Sequence, residues 1–331
     1  LFPARPAAAA AAAEPLALPP LGVGAWAWGD RLFWGYNEQE DPALKEAFDT
    51  CIKNGVRLFD TAELYGPGRS EELLGKFVRD SGVASETIIA TKFAALPWKL
   101  QRSDVVDACK ASLQRLGTAK IDLYQIHFPS AWRNEAFWDG LGDCFEQGLV
   151  KAVGVSNYGS SALRGVHKAL ADRGIPLTSN QVQYSLIYRY PELNGMKAAC
   201  DELGVKMLAY SPLGLGALTG KFSDELPSGP RESLAKQWLA DPGFGELIAE
   251  MKRIAASKGP EAKLSQVALA WCMAKGTIPI PGARNAKQAK DNVGALTLQL
   301  TARDVADLDA ASARIAPVLK PEMNPMVRES V

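Results

Sequence analysis

Four residues in the first half of the chain are of types that can move a proton onto a carbonyl: Asp60, Tyr65, Lys92 and His127. A tyrosine hydroxyl titrates at about 10, too high for easy proton donation at neutral pH. A lysine ammonium beside it favours the phenolate and brings that value down. A carboxylate such as Asp60 would pair with the lysine and fix its position. A histidine such as His127 would hydrogen-bond a carbonyl oxygen and orient it. A proton donor aimed at a carbonyl oxygen suits reduction by an incoming hydride. Each residue alone has a plainer reading. Asp60 could cap the following segment, Lys92 could snorkel to solvent, and His127 could be a hydrogen-bonded core histidine. Tyr65 could be an exposed residue of the turn Leu64-Tyr65-Gly66-Pro67-Gly68. Only the combination carries the chemistry.

Such a set needs a frame that brings distant positions together. From residue 21, short apolar runs alternate with amphipathic stretches of helical period. The runs fall at 21–24, 56–59, 87–90, 121–126, 152–155, 179–182, 205–209 and 278–280. The helical stretches fall near 41–54, 70–79, 103–116, 135–147, 160–172, 190–203 and 263–275, with an eighth near 285–295. Ser103 and Ser160 read as start signals, and Gly55, Gly117, Gly148, Gly174 and Gly204 as stops. Eight strands, each followed by a helix, is the count of an α/β (β/α)8 TIM barrel, whereas an open doubly wound sheet usually stops nearer six strands. The segment 211–245, rich in Gly and Pro, reads as a long loop after the seventh strand, placed over the barrel mouth. In a barrel, reactive groups sit just past the strand C-termini. Asp60, Lys92, His127, Ser156 with Asn157, Gln181, Tyr210 and Gly282 all close or follow one of the runs.

Composition narrows the function. Lys and Arg total 37 and so do Asp and Glu, for a net charge of zero. There is no basic stripe for a nucleic acid partner. Two histidines and five dispersed cysteines without a C-x-x-C leave no material for a metal site. They also argue for a reducing compartment rather than a disulfide framework. No run reaches the roughly 18 apolar residues of a transmembrane segment. Residues 1–20 hold an alanine run, 7–13, between prolines, with Arg5 and Glu14 as the charges. They read as a disordered arm or as the remnant of an organelle transit peptide. A single domain is read over 21–315 and a C-terminal tail over 316–331.

The chain resembles the aldo-keto reductases, over roughly 21–315. That family's Asp-Tyr-Lys-His tetrad matches Phe59-Asp60-Thr61-Ala62-Glu63-Leu64-Tyr65-Gly66, Ala90-Thr91-Lys92-Phe93 and Tyr124-Gln125-Ile126-His127. Its nicotinamide segments match Gly154-Val155-Ser156-Asn157-Tyr158, Asn180-Gln181-Val182-Gln183-Tyr184 and Ala209-Tyr210-Ser211-Pro212-Leu213-Gly214. Its adenosine-phosphate segment matches Ile280-Pro281-Gly282-Ala283-Arg284, continuing to Gln288, Asp291 and Asn292. Trp26-Ala27-Trp28-Gly29 and 213–221 look most like the plastid branch of plants and algae, which includes pyridoxal-reductase-like members. With the N-terminal arm, this implies a plastid protein, stromal or thylakoid-associated, with the cytoplasm as fallback.

The resemblance implies reduction of a small-molecule carbonyl with NADPH/NADP+ as cofactor. Ser156, Asn157 and Gln181 would hold the nicotinamide carboxamide, and Tyr210 would stack on its ring, with Ser211 and Leu213 in the same segment. Arg284 would meet the adenosine 2′-phosphate, which favours NADPH because a planar guanidinium grips phosphate well. Gln288, Asp291 and Asn292 would reach the adenine end. Two departures stand out: Asp291 replaces the family's frequent glutamate, and Phe128 replaces the branch's frequent tryptophan.

Other motifs are weighed and set aside. Gly22-Val23-Gly24-Ala25-Trp26-Ala27 fits G-x-G-x-x-A, but aromatics follow where a helix must start, so Gly24 and Trp26 are placed at the cofactor mouth instead. No tyrosine has a lysine four residues on, which removes the short-chain dehydrogenase pairing, and no G-x-S-x-G is present. Trp34, Trp98 and Trp132 fall in loops after the first, third and fourth strands. They read either as rim packing or as an aromatic wall for a planar or apolar carbonyl substrate. Two further functions stay open. One is a Schiff-base aldolase with Lys92 as nucleophile. The other is an NADPH-binding redox-sensing or structural subunit of a larger complex.

Overall fold

The computed structural model describes residues 16–315 apart from 224 and 228. Eight strands lie in one sheet in chain order, each parallel to the next. They are β1 (Gly22–Gly24), β2 (Leu58–Asp60), β3 (Ile88–Phe93), β4 (Ile121–Ile126), β5 (Val150–Ser156), β6 (Leu177–Gln183), β7 (Lys206–Tyr210) and β8 (Ile278–Pro279). The circle closes where Gly24 bridges Gly282, with the Gly24 N–H donating to the Pro281 carbonyl at 3.0 Å. This is the (β/α)8 barrel the alternation predicts.

A barrel strand is covered on both faces, so it reads as a continuous apolar run; β4 is buried at every position. Leu58, Ala90, Leu123, Ala152, Leu208 and Ile278 form the barrel's inner cluster. Phe59, Tyr124 and Val153 face outward and pack with Phe48, Phe77, Phe137 and Leu163 beneath the helices. Full burial of a side chain of that size contributes roughly 1.5–3 kcal/mol. Leu16 and Leu18 also pack on the inner cluster. The arm read over 1–20 is therefore corrected at its inner end: 16–20 belong to the fold, and 1–15 lie outside the described residues. The tail over 316–331 lies outside them too.

The helices are α1 (Asp41–Lys53), α2 (Arg69–Asp80), α3 (Arg102–Leu116), α4 (Asn134–Glu146), α5 (Ser160–Ala171), α6 (Tyr190–Leu193) and α7 (Met196–Glu202), and then α8 (Arg231–Ala240), α9 (Pro242–Lys258), α10 (Leu264–Ala274), α11 (Ala286–Val293) and α12 (Ala302–Ser312). The stop glycines behave as expected. Gly117 caps α3 at φ 64°, a region that suits a residue with no Cβ, and the other four are also at positive φ. The start of α3 differs. The Asp104 carboxylate accepts from the N–H groups of Leu100 (2.7 Å) and Gln101 (2.8 Å), so the acid, not Ser103, closes the first turn. The stretch near 190–203 is broken into two helices by Gly195 at φ 84°.

The largest correction concerns 211–245, which is mostly helical rather than one long loop. Short 3-10 turns at Gly214–Thr219 and Lys221–Ser223 precede α8, and α9 begins at Pro242. Asp241 caps α9 by accepting from the Gly243 N–H at 2.7 Å, with proline at the first helical position. Phe244, Leu247, Met251 and Ile254 lie on the buried face of α9 at helical spacing. The prolines and glycines are therefore caps and turns, not signs of an unstructured span. The eight-helix count also leaves out α12, which packs on α9 and is capped by a reciprocal Thr301–Asp304 pair. Among the described residues no helix is long and apolar enough to cross a membrane.

Candidate active site

Asp60 ends β2, Lys92 lies near the end of β3, and His127 follows β4. The register aligns Asp60 with Ala90 and Lys92 with Gln125, so three neighbouring strands deliver these groups to one level of the barrel mouth. Tyr65 sits in the turn before α2, with its N–H donating to the Ala62 carbonyl at 3.1 Å. Lys92 Nζ donates to Asp60 Oδ1 at 2.5 Å, to the Thr61 carbonyl at 2.8 Å and to the Tyr65 hydroxyl at 3.3 Å. The Tyr65 and His127 rings meet edge to face at 5.7 Å.

A buried ion pair persists only if its remaining bonding capacity is satisfied. The Asp60 and Lys92 side chains are 2% and 0% exposed. Asp60 Oδ2 accepts from Gln181 Nε2 at 2.7 Å and from Gln125 Nε2 at 3.2 Å. Ser179 Oγ in turn donates to Gln125 Oε1 at 3.1 Å. Burial pushes the Tyr65 hydroxyl above its ordinary 10.0; Lys92 pulls it down and Asp60 pushes it up, and the net shift is upward. The expectation that Lys92 brings the phenol below its free value is corrected: the lysine restrains a value that burial raises. Burial disfavours the Lys92 ammonium, but Asp60 and Tyr65 more than offset this, and its pKa lies above the ordinary value. Burial, and then Lys92, hold the His127 imidazole well below 6.5. At neutral pH the cluster therefore presents a phenol with its proton, an ammonium behind it and an uncharged imidazole beside it.

Strands β4 to β7 are laced together at the same level. Ser156 Oγ donates to the Gln181 carbonyl at 2.7 Å, Asn157 Nδ2 to the His127 carbonyl at 3.0 Å, and the Tyr210 hydroxyl to Asn157 Oδ1 at 3.0 Å. Asn157 and Ser211 take φ of 62° and 50°. Each such left-handed residue costs about 1–3 kcal/mol and persists only where its surroundings over-determine it. The cleft beside this lacing has a volume of about 1290 Å³. Gly24 borders it where a Cβ would meet the Ile280 carbonyl oxygen at 2.9 Å, so a side chain there would push into the barrel seam.

All four tetrad residues of the sequence reading meet in this way, though Lys92 lies beneath the cleft surface. The expected cofactor residues line the same cleft: Gly24, Trp26, Ser156, Asn157, Gln181, Tyr210, Ser211 and Leu213 toward Tyr65, and Gly282, Arg284, Gln288, Asp291 and Asn292 toward α11. At the α11 end Asn292 Nδ2 donates to the Gly282 carbonyl at 3.1 Å, and Gln288 Oε1 accepts from the Arg284 N–H at 2.9 Å. The Arg284 guanidinium pairs with Glu40 Oε2, from Nη2 at 2.5 Å and Nε at 3.2 Å, and its Nη1 donates to the Trp34 carbonyl at 3.1 Å.

The three loop tryptophans do not act together. Trp34 lines the cleft, while Trp98 and Trp132 are 73% and 80% exposed and line no part of it. The aromatic wall is built instead from Trp26 and Phe33, stacked at 4.8 Å, with Trp34 edge-on to Trp26 at 5.5 Å. The Trp26 ring lies 6.2 Å from that of Tyr65. Gln125, Glu40 and Arg231 are site residues the sequence reading does not single out. A glutamine near the C-terminal end of β4, where reactive groups gather in a barrel, is a signal for the first, and nothing local marks the other two.

A nicotinamide dinucleotide fits these residues on two grounds. The cleft runs unbroken from the tetrad to Arg284. His127 Nδ1 and Trp34 Nε1 are buried with no hydrogen-bond partner among the described residues, and a polar ligand would satisfy such atoms.

Comparison with known proteins matches residues 20–313 to the model of the Aldo/keto reductase family. A chloroplastic pyridoxal reductase of Arabidopsis thaliana is 45% identical over 311 residues, covering 90% of this chain and 84% of that protein. A thermostable aldo-keto reductase solved with the inhibitor epalrestat superposes with a TM-score of 0.72 at 29% identity, covering 89% of this chain and 95% of that one. An aldo-keto reductase of Klebsiella pneumoniae solved with NADPH shares the fold, with a TM-score of 0.71 at 23% identity over 91% of this chain and 95% of that one.

Proposed function

The chain belongs to the aldo/keto reductase family, and on that footing we propose that it reduces an aldehyde or ketone to an alcohol using NADPH. One observation carries the reading: the Tyr65 hydroxyl, 3.3 Å from the buried Lys92 ammonium, borders the cleft with His127 beside it. The nicotinamide, when bound, supplies the hydride. Tyr65 donates its proton to the carbonyl oxygen as charge builds there. Lys92 stabilises the phenolate left behind, and Asp60, itself held by Gln125 and Gln181, keeps Lys92 in place. The uncharged His127 orients the oxygen without competing for the proton. Ser156, Asn157, Gln181 and Tyr210 hold the nicotinamide end, and Arg284 receives the 2′-phosphate.

Trp26, Phe33 and Trp34 favour a planar aromatic aldehyde, stacked beside Tyr65. The name of the plant relative makes pyridoxal the first compound to try, and its chloroplast location supports a plastid for this chain. A Schiff-base aldolase needs Lys92 as a free amine. An ammonium held by Asp60 and Tyr65 does not favour that reading.

The test is NADPH oxidation by the purified chain over a panel of aldehydes that includes pyridoxal, with Tyr65→Phe in parallel. Turnover of at least one aromatic aldehyde is expected, lost in Tyr65→Phe while NADPH still binds. No turnover of any carbonyl, or Tyr65→Phe at the parental rate, would sink the proposal.

A further inference from the structure

We propose that Glu40 competes with the cofactor's 2′-phosphate for Arg284, and so sets how far the cleft prefers NADPH over NADH. The proposal rests on the cofactor reading above. Glu40 ends the short 3-10 turn Glu38–Glu40 that leads into α1, on the opposite side of the barrel seam from Arg284. Its Oε2 takes two donors of the Arg284 fork, and the third contact of that fork is the Trp34 carbonyl. The pair is only partly covered, with side chains 27% and 23% exposed.

A phosphate arriving at Arg284 therefore meets a guanidinium already engaged by a carboxylate. Carboxylate and phosphate repel, so one must leave or move aside, and the cofactor's phosphate gains only the difference. An unphosphorylated ribose meets the reverse situation. Its 2′-hydroxyl is a donor, and a carboxylate is the acceptor such a hydroxyl calls for. One residue thus penalises the phosphorylated cofactor and rewards the other.

Arg231, brought over the cleft by α8, adds a second cation. Its guanidinium lies 4.7 Å from the Trp34 ring centre, and its Nε is buried with no partner among the described residues. Removing the Glu40 charge would leave both guanidiniums facing the incoming phosphate.

The test reads cofactor affinity alone, without turnover, from quenching of the tryptophan fluorescence; Trp26 and Trp34 line the cleft. Glu40→Gln keeps the shape of the side chain and removes the charge. It is expected to tighten NADPH by up to about fivefold, the scale of one partly exposed ion pair, and to weaken NADH. Glu40→Asp, which keeps the charge but withdraws it, should fall between. In an Arg284→Ala background the tightening of NADPH by Glu40→Gln should shrink to what direct carboxylate–phosphate repulsion supplies. Equal changes for both cofactors, or tightening undiminished without Arg284, overturns the proposal. A parental chain that binds neither cofactor overturns this and the cofactor reading together; NADPH binding with a preference unmoved by Glu40→Gln overturns this alone.

Discussion

The two ends of the cleft each hold a lysine or arginine against a carboxylate, and the two pairs are built for different purposes. Lys92 and Asp60 are fully enclosed, and their polar neighbours are Gln125 and Gln181 on strands, Thr61 just after one, and Tyr65 in the turn that follows. Arg284 and Glu40 are about a quarter exposed and join positions 244 residues apart across the barrel seam. A buried pair cannot exchange partners, because a charge left alone in a dry interior is too costly. A half-exposed pair can, because water covers what the partner leaves. The chemistry end is thus fixed before any ligand arrives, whereas the phosphate end has a contact to give up.

Breaking each pair should expose the difference, and the largest effect is expected at Lys92. Lys92→Met strips the ammonium from Tyr65 and leaves the Asp60 carboxylate buried without a counter-charge. Turnover should fall on the order of a thousandfold, and stability to urea by about 3–5 kcal/mol. Arg284→Ala removes a pair that solvent screens, so its stability cost should be about 1 kcal/mol or less, while NADPH binding weakens far more than NADH binding. Equal stability losses in the two variants would erase the distinction between the ends.

The same contrast explains what the sequence discloses. The tetrad is legible because strand ends are local features. Once eight apolar runs are counted, Asp60, Lys92 and His127 fall at their ends by spacing, and Tyr65 sits in the adjoining turn. Ser156, Asn157, Gln181 and Tyr210 follow by the same rule. The phosphate end is made of tertiary accidents of the loops. Glu40 meets Arg284 only because the seam brings β1 against β8, and no periodicity carries that information. Arg231 reaches the cleft only because 211–245 folds into helices, where prolines and glycines suggest a loop. The tryptophans fail differently. Residue type put Trp34, Trp98 and Trp132 on one face, but the facing of loop side chains has no period, and Phe33 takes the place given to the other two.

The aromatic wall lies between the two ends and yields a smaller effect. Trp34→Ala removes a ring that lines the cleft and should raise KM for an aromatic aldehyde about tenfold. Trp98→Ala and Trp132→Ala remove exposed rings and should change it less than about twofold. A large effect at Trp98 with none at Trp34 would return the substrate to the outer rim and detach it from the tetrad.

The smallest expected effect is an absence, and it tests whether the chemistry end is set before the ligand arrives. Tyr65 must keep its proton to donate it, and it loses that proton only as pH rises through a value that burial holds above 10.0. His127 must stay uncharged, and it gains a proton only as pH falls through a value that burial and Lys92 hold well below 6.5. Between those limits neither group changes state. With NADPH saturating and ionic strength held constant, because the half-exposed phosphate end is salt-sensitive, kcat/KM for carbonyl reduction should stay level from about pH 6.5 to pH 9.5. A falling limb near pH 7 would mean that the imidazolium is the working donor. The proton would then come from His127 rather than Tyr65, and the Lys92–Asp60 pair would be holding the wrong residue in place.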